Sequence, residues 1–206
     1  ALVAEASAAR RGGAPVTLPR YLSATSLVAL RRDPERFSTE LVRPMPRPPA
    51  ARARDGVTFH RWLEGHFSAA VPLVNAALGE DSAEGERVSA LVSAFLGGPY
   101  ASRTPVAVEV PFALVLAGRV IRGRVDAVFR TPSGFEVVDW KTGSGQSADP
   151  VQLALYRVAW AEIAGVEANE VEAVFYDVLA GETIRPARLP GRAELAALLT
   201  SVAPAG

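Results

Sequence analysis

One short segment of the sequence combines an acid, an aromatic residue and an amine. Asp139, Trp140 and Lys141 end an apolar run and precede the glycine-rich segment 143–145. Lys141 is the only lysine, since the other basic residues among the 22 lysines and arginines are all arginine. The lysine ammonium is a compact charge whose pKa shifts readily, whereas arginine stays charged in proteins. The sequence therefore indicates a chemical role for an amine at this position.

A second aspartate is predicted to lie beside this segment. Asp126 belongs to the preceding strand-like run, and the turn sequence 131–134 lies midway between it and Asp139. A hairpin there would bring the two carboxylates to one edge of a sheet. Lys141 follows Asp139 at the second position, so both side chains would leave the strand on the same face. Two carboxylates and an ammonium would then share one small volume.

This set of groups suits a divalent cation. Two converging carboxylates repel each other, so a cation between them is favourable. Mg²⁺ prefers oxygen ligands and commonly binds through one or two carboxylates together with substrate phosphates. An ion held in this way activates water and stabilises the charge that develops on a phosphodiester. Lys141 would orient the attacking water or stabilise the same charge. The residue set predicts metal-dependent phosphodiester hydrolysis.

The elements that must position these residues are helices followed by a β-meander. Hydrophobic periodicity predicts a short helix that Ser23 or Thr25 caps and Pro34 ends, and two further helices over 53–70 and 82–96. The proline-rich segment 43–49 is expected to be a connector. Alternating apolar residues and turn signals predict the later elements: strands over 106–110, 112–116, 120–129 and 135–140, a helix over 150–164, a strand over 171–178, a hairpin turn at 180–182 and a last helix over 193–202.

This order of elements predicts an α/β or α+β domain around one mixed central sheet flanked by helices. The chain has 206 residues, 49% of them hydrophobic, which suffices for one core of ordinary size. Residues 1–20 lack a hydrophobic period and are expected to form a disordered linker, with the folded domain over 21–206. Because this start lacks an initiator Met and resembles a linker, we expect the domain to continue a longer polypeptide.

Composition excludes several classes of protein. The formal net charge of +0 gives no overall electrostatic signature of a nucleic-acid or membrane binder, so a DNA partner would meet a local patch. With Cys 0, the sequence offers no disulfide, no thiolate zinc site and no iron–sulfur cluster. Apolar runs are interrupted within a few residues, and no signal peptide is evident. We therefore expect a cytoplasmic protein with no membrane partner.

Several motifs occur in an order that resembles one family, the RecB-family PD-(D/E)XK nucleases. The resemblance extends over roughly residues 21 to 178 and implies a restriction-endonuclease-like core. A lone Asp-x-Lys would be a weak signal, whereas the ordered set is specific. The segments concerned are 22–27 with 33–37, 56–64 around His60, Glu109–Phe112, Gly123–Asp126, Val138–Gly143 and Gln152–Tyr156.

The resemblance implies a role for each matching residue. His60, Asp126 and Asp139 would bind Mg²⁺ or Mn²⁺ together with the backbone carbonyl of Trp140, and Lys141 would be the catalytic lysine. Glu109 matches the family's leading acid and is treated as a supporting catalytic residue, and Gln152 and Tyr156 would line the substrate side. Iron–sulfur members have a cysteine at the position of Asp33, so the resemblance is to members without a cluster.

The resemblance also implies a cellular setting. Such modules commonly form the carboxy-terminal part of UvrD/RecB-like helicase–nucleases of the AddAB or AdnAB type, which process double-strand breaks. The expected partners are single-stranded or duplex DNA ends, upstream helicase domains of the same polypeptide and a partner subunit.

Other interpretations remain open from the sequence. The whole domain could be a catalytically silent nuclease-like module that binds DNA ends or a partner subunit, or a stand-alone restriction or phage-type nuclease. Asp139 and Lys141 could form an ordinary ion pair, and Glu109 could face solvent as easily as the site. His66 is expected to be solvated, and Trp160 to pack in the core. Four arginines near Asp126 form either a solvated face or phosphate contacts: Arg119, Arg122, Arg124 and Arg130.

Overall fold

A mixed β-sheet with helices on both faces dominates the part of the chain that the computed structural model describes, residues 17–44, 51–68, 83–143 and 148–200. Six strands are present there: β1 (Tyr21–Ser23), β2 (Ala107–Leu116), β3 (Arg119–Thr131), β4 (Gly134–Lys141), β5 (Val171–Asp177) and β6 (Glu182–Ile184). The helices in these ranges are α1 (Ala24–Arg32), α2 (Pro34–Val42), α3 (Ala51–Phe67), α4 (Ala83–Leu96), α5 (Pro150–Ala164) and α6 (Arg192–Thr200). The architecture confirms the predicted mixed α/β fold.

The long strand β3 organises the sheet. Along one edge it pairs antiparallel with β2 over nearly its whole length. The opposite edge is shared by two shorter strands, because β1 pairs in parallel with residues 120–122 and β4 pairs antiparallel with residues 127–131. Beyond β4 the sheet continues through β5, in parallel, to β6. Residues 123–126 of β3 therefore face a gap where neither β1 nor β4 pairs with β3.

Tight turns fix the meander. Ala117 and Gly118 both have positive φ, 47° and 71°, as a two-residue hairpin between β2 and β3 requires. Gly134 has φ 141°, and a side chain there would collide with the backbone carbonyl of Glu170. The two predicted strands 106–110 and 112–116 are one continuous strand, β2, which runs through Pro111. The proline is tolerated because β2 lies at the edge of the sheet.

Two hydrophobic clusters cover the two faces of the sheet. One joins α1, α5 and α6 to the sheet and contains residues such as Leu27, Leu155 and Leu195. The other joins α3 and α4 to the opposite face and is rich in aromatic side chains, including Phe59, Phe95, Trp140 and Tyr176. The same strands thus support helices on both sides, which is why β4 is buried along almost its entire length.

The first helices differ in part from the prediction. Ser23 caps α1 as expected, since its side chain accepts a hydrogen bond from the Ser26 amide. Pro34 does not simply end this helix: it is the first residue of α2, and Asp33 caps that helix. Leu18 lies ahead of the predicted domain start and is nevertheless buried, at 3% exposure. Residues 1–16 and the segment 45–50 lie outside the described residues. Within the described ranges, none of the helices is long and apolar enough to cross a membrane.

Candidate active site

Three carboxylates lie in one row across neighbouring strands. Glu109 on β2 stands between the positions that pair with Val125 and Ala127 of β3, and is therefore opposite Asp126. Asp139 on β4 is one position beyond the last paired residue, Val138, and is also opposite Asp126. Asp126 and Asp139 are 8% and 2% exposed. The hairpin expected from the sequence therefore brings the two aspartates together, and β2 adds a third acid.

The strand geometry is interrupted at this row. Val125 and Val128 are three residues apart, an odd spacing, yet both pack into the cluster beneath α5. Regular alternation would send them to opposite faces. Glu109, in the same row, has φ 50°, a left-handed conformation that costs about 1–3 kcal/mol in a non-glycine residue. The backbone irregularity directs an acid into the cluster of carboxylates instead of out to solvent.

His60 approaches the acids from α3. Its neighbours Phe59 and Leu63 are buried in the aromatic cluster and hold that helix against the sheet. The His60 Nδ1 atom lies 3.2 Å from Glu109 Oε1 and 3.8 Å from Asp126 Oδ2. One ligand atom from each of these three residues lies within 4.8 Å of the others. This is the spatial arrangement that a metal ion requires.

Asp139, Lys141, Gln152 and Tyr156 form a connected polar chain. The Lys141 ammonium lies 2.7 Å from Asp139 Oδ2 and donates a hydrogen bond of 3.0 Å to Gln152 Oε1. The Gln152 amide nitrogen donates to Asp139 Oδ1 at 2.7 Å and to the Tyr156 hydroxyl at 3.1 Å. Gln152 and Tyr156 are one turn apart on α5 and so share a face. A single glutamine therefore fixes the positions of both the acid and the amine.

The start of α5 is itself anchored. Asp149 caps the helix by accepting a hydrogen bond from the Val151 amide. Both of its carboxylate oxygens also accept a hydrogen bond of 3.0 Å from the Arg31 guanidinium on α1. This contact ties α1 to the helix that presents Gln152.

The electrostatics of the site indicate an excess of negative charge. Burial and the nearby charge of Asp139 raise the pKa of Asp126 to about 8, and burial also raises the pKa of Asp139. Burial alone would lower the pKa of His60, but its contact with Glu109 and the charges of the acids outweigh this effect and raise the pKa to about 9. A cation that enters the site would stabilise the ionised form of these carboxylates and lower their pKa values.

The donor set fits a hard divalent cation. The available ligands are carboxylate oxygens and one imidazole, with no sulfur. The Asp139 Oδ2 atom is buried and lies 2.7 Å from the Lys141 ammonium. Carboxylate oxygens have more than one lone pair, so Asp139 can keep this contact and still bind a metal ion. Three side chains, His60, Glu109 and Asp126, already converge, and Asp139 is the next in the row.

The backbone and the side chain of Trp140 lie in different environments. Its backbone amide donates a 3.0 Å hydrogen bond to Asp126 Oδ2, while its indole lies in the aromatic cluster on the other face, at 2% exposure. The side chains before and after it point towards α5. The backbone amide of Trp140 is thus adjacent to the carboxylates, and the role of its carbonyl as a ligand stays a prediction.

The structure decides between the alternatives for one neighbouring residue and corrects the prediction for another. Glu109, for which the sequence left solvent and site equally open, contacts His60 and is 14% exposed. The strand register places Glu109 opposite Asp126, but the direction of its side chain depends on its φ of 50°, which the sequence pattern does not predict. His66 was predicted to be solvated, but it stacks on Trp62 with ring centroids 5.0 Å apart. Trp160 packs against Phe135 in the core, as predicted.

Comparison with known proteins gives a consistent result. The sequence model of a family described as the PD-(D/E)XK nuclease superfamily matches residues 21–203. The gene 69 protein of Mycobacterium phage D29 is 35% identical over 82 residues, a match that covers 40% of this chain and 30% of that protein. The solved structure of a candidate exonuclease from Eubacterium rectale matches 89% of this chain and 77% of its own, with a TM-score of 0.55 and 13% identity. At this identity, the similarity to the solved structure shows the fold alone.

Proposed function

Because the chain belongs to the PD-(D/E)XK nuclease superfamily, we propose that it is a metal-dependent deoxyribonuclease that hydrolyses phosphodiester bonds in DNA. The observation that supports this most strongly is the chain of contacts from His60 through the carboxylates to Lys141 and Gln152. An ordinary strand-end ion pair would not need a second aspartate, a histidine and a half-buried glutamine around it.

The metal ligands follow from the donor set. We assign Asp126, Asp139, His60 and the Trp140 carbonyl to a Mg²⁺ or Mn²⁺ ion and add Glu109, which has a ligand atom within 4.8 Å of those of His60 and Asp126. Such an ion, when bound, supplies an activated water and stabilises negative charge on the phosphate. Glu109 also orients the His60 imidazole through the 3.2 Å contact at Nδ1.

Lys141 contacts Asp139 on the side that faces Gln152. Its ammonium is 10% exposed and is held by the carboxylate of Asp139 and the amide oxygen of Gln152. Among the described residues these are its two polar contacts, so a third ammonium proton can hydrogen-bond the attacking water or a phosphate oxygen. Because the group is preorganised, little reorientation is needed when charge develops. Tyr156 completes the substrate side by accepting a hydrogen bond from Gln152.

Substitution of the central pair tests this proposal. We expect Asp139→Asn and Lys141→Ala each to reduce Mg²⁺-dependent cleavage by at least about 10²-fold, because each removes a group that acts in the transition state. Glu172→Gln is the matched control, since Glu172 is an exposed acid on β5. Cleavage of labelled single-stranded and duplex DNA, with and without Mg²⁺ or Mn²⁺, measures the effect.

The outcomes separate the two classes of function. Full activity in either site variant would contradict the mechanism. If the unaltered protein binds DNA but cleaves neither substrate with either metal, the domain is a silent nuclease-like binding module. Circular dichroism of each variant confirms that a loss of cleavage is not a loss of folding.

We further propose that residues 21–206, together with Leu18, which packs into the same core, form the nuclease module of a cytoplasmic helicase–nuclease in double-strand-break processing, with the residues ahead of 17 as a linker. The resemblance of its motifs to RecB-family nucleases supports this setting. The match to the phage protein covers only 30% of that relative. The activity and the partners of a longer protein that contains this domain are therefore part of the proposal. Helicase motifs in the upstream coding sequence would support it, and a complete open reading frame without them would contradict it.

A further inference from the structure

A groove opens beside His60, between α3 and the paired strands β2 and β3. Its volume is about 440 Å³. Gly56, Val57 and Arg61 line it on the α3 side, and Glu109 and Arg124 line it on the sheet side. The groove therefore begins at the candidate metal ligands and extends away from them along α3.

A glycine inside a helix lines the groove. Gly56 lies within α3, where glycine costs about 1 kcal/mol relative to alanine. At this position the missing side chain leaves room at the groove wall. Val57 beside it is 61% exposed and offers an apolar surface. Such a wall can accept a sugar or a base, because both have apolar faces.

The arginines of β3 are not equivalent. Arg122 lies over the Tyr21 ring at 4.7 Å, and Arg130 lies over the Phe135 ring at 4.5 Å. Arg124 instead reaches the groove, where its guanidinium lies 3.5 Å from Glu109 Oε2 and its side chain is 56% exposed. Of the two alternatives for these arginines, a solvated face or phosphate contacts, the structure favours the second for Arg124.

The guanidinium of Arg124 is both oriented and available. Among the described residues Arg124 makes one long contact, to Glu109, so most of its five N–H donors are free of partners there. Planar guanidinium groups bind phosphate through two parallel hydrogen bonds, which fixes geometry as well as charge. Arg124 is also two residues from Asp126 on the same strand. A phosphate bound there would lie within a short distance of the one being cleaved.

We propose that Arg124 binds a backbone phosphate of the DNA next to the scissile phosphate, and that the groove holds the intervening nucleotide. This rests on the proposed function in assuming a DNA substrate. Since the chain has a formal net charge of +0, affinity for DNA depends on such local contacts. Glu64 and Glu109 line the groove together with Arg61 and Arg124, so its surface is not uniformly basic and we expect the loss of one arginine to have a large effect.

The test measures DNA binding without cleavage. Arg124→Gln and Arg130→Gln are each combined with Lys141→Ala, and the affinity for a fluorescein-labelled oligonucleotide in Mg²⁺ is measured by anisotropy at about 50 to 200 mM salt. Arg130 is the matched control because it is an exposed arginine of the same strand that packs on Phe135 instead of lining the groove. We expect roughly tenfold weaker binding for Arg124→Gln, with the slope of log K against log salt reduced by about 1.

Each outcome bears on the proposal. No difference between the two variants would overturn it. It would also be overturned if Arg124→Gln weakened Mg²⁺ binding by calorimetry while the salt dependence of DNA binding stayed unchanged, because Arg124 would then only support Glu109. Intermediate binding by Arg124→Lys would support it, since lysine keeps the charge but not the planar fork. If the unaltered protein cleaves no DNA but Arg124→Gln still loses binding, the nuclease proposal fails and the phosphate site stands.

Discussion

At the scale of single residues, Gln152 uses both ends of its amide in the site. Its oxygen accepts from Lys141, and its nitrogen donates to Asp139 and to Tyr156. Only one orientation of the amide satisfies these partners, since a reversed amide would direct its NH₂ group at an ammonium. Gln152 is therefore a positioning residue for both the acid and the amine.

We expect Gln152→Ala to reduce kcat by about 10- to 100-fold with a smaller change in KM, because Lys141 and Asp139 lose their common partner but keep their charges. Tyr156→Phe is the matched control, since among the described residues the hydroxyl accepts a hydrogen bond from Gln152 and does not contact Lys141, and it should reduce kcat much less. Steady-state kinetics on one oligonucleotide give both constants. An equal effect of the two variants would show that Gln152 acts through Tyr156 and not on the catalytic pair.

The sequence was sufficient to bring most of these residues together. Spacing across one hairpin placed Asp126 beside Asp139, and alternation along β4 placed Lys141 on the same face. The position of Glu109 could not be decided in this way, because its strand loses regular alternation where Glu109 adopts φ 50°. The φ angle of Glu109 determines whether this acid faces the site or solvent. The hydrophobic periodicity of the sequence does not predict that angle.

At the scale of elements, the site depends on how α1 meets α5. The Arg31–Asp149 contact joins them, and Asp149 is 9% exposed while the Arg31 side chain is 43% exposed. Asp149 serves two purposes, since it also caps α5. The first turns of α5 present Gln152, so the geometry of this end controls the geometry of the polar chain.

We expect Asp149→Ala to lower the free energy of unfolding by about 1–2 kcal/mol, through loss of the cap and of a charge-assisted contact. It should also reduce kcat, because Gln152 is three residues away. Asp33→Ala is the control, since Asp33 caps α2 and should cost stability by the same mechanism without altering kcat. Urea unfolding and cleavage assays measure the two effects. A loss of stability with unchanged kcat would contradict the coupling.

Element boundaries were predictable where the signals were unambiguous. The helix 150–164 and the predicted β3 and β4 agree closely with the structure because caps, glycines and apolar runs coincide there. α2 was missed because Pro34 is compatible with both the end of one helix and the first turn of the next. β1 was missed because three residues are too few to display alternation, and its pairing with β3 is a long-range contact.

At the scale of the whole molecule, the site lies where two strands share one edge of a third. β1 and β4 leave β3 on either side of residues 123–126, and α3 approaches the same region from the other hydrophobic cluster. The mixed sheet was predictable from the order of elements. The approach of α3 was not, because it depends on ring packing among residues far apart in sequence, such as Phe59, Phe95 and Trp140.

The solitary lysine has a consequence for proteolysis. An endoprotease specific for lysine has one peptide bond to cut in these 206 residues, between Lys141 and Thr142, and Lys141 is paired with Asp177 of β5 in the central sheet. We expect the folded protein to resist such cleavage and to yield only two fragments, at a rate that follows the population of the opened state. Added Mg²⁺ should slow the cut if it binds the folded site. Gel analysis over time, with and without the metal, measures the rate of this cleavage. Because Lys141 belongs to β4, that rate reports the stability of the strand that holds the candidate catalytic lysine.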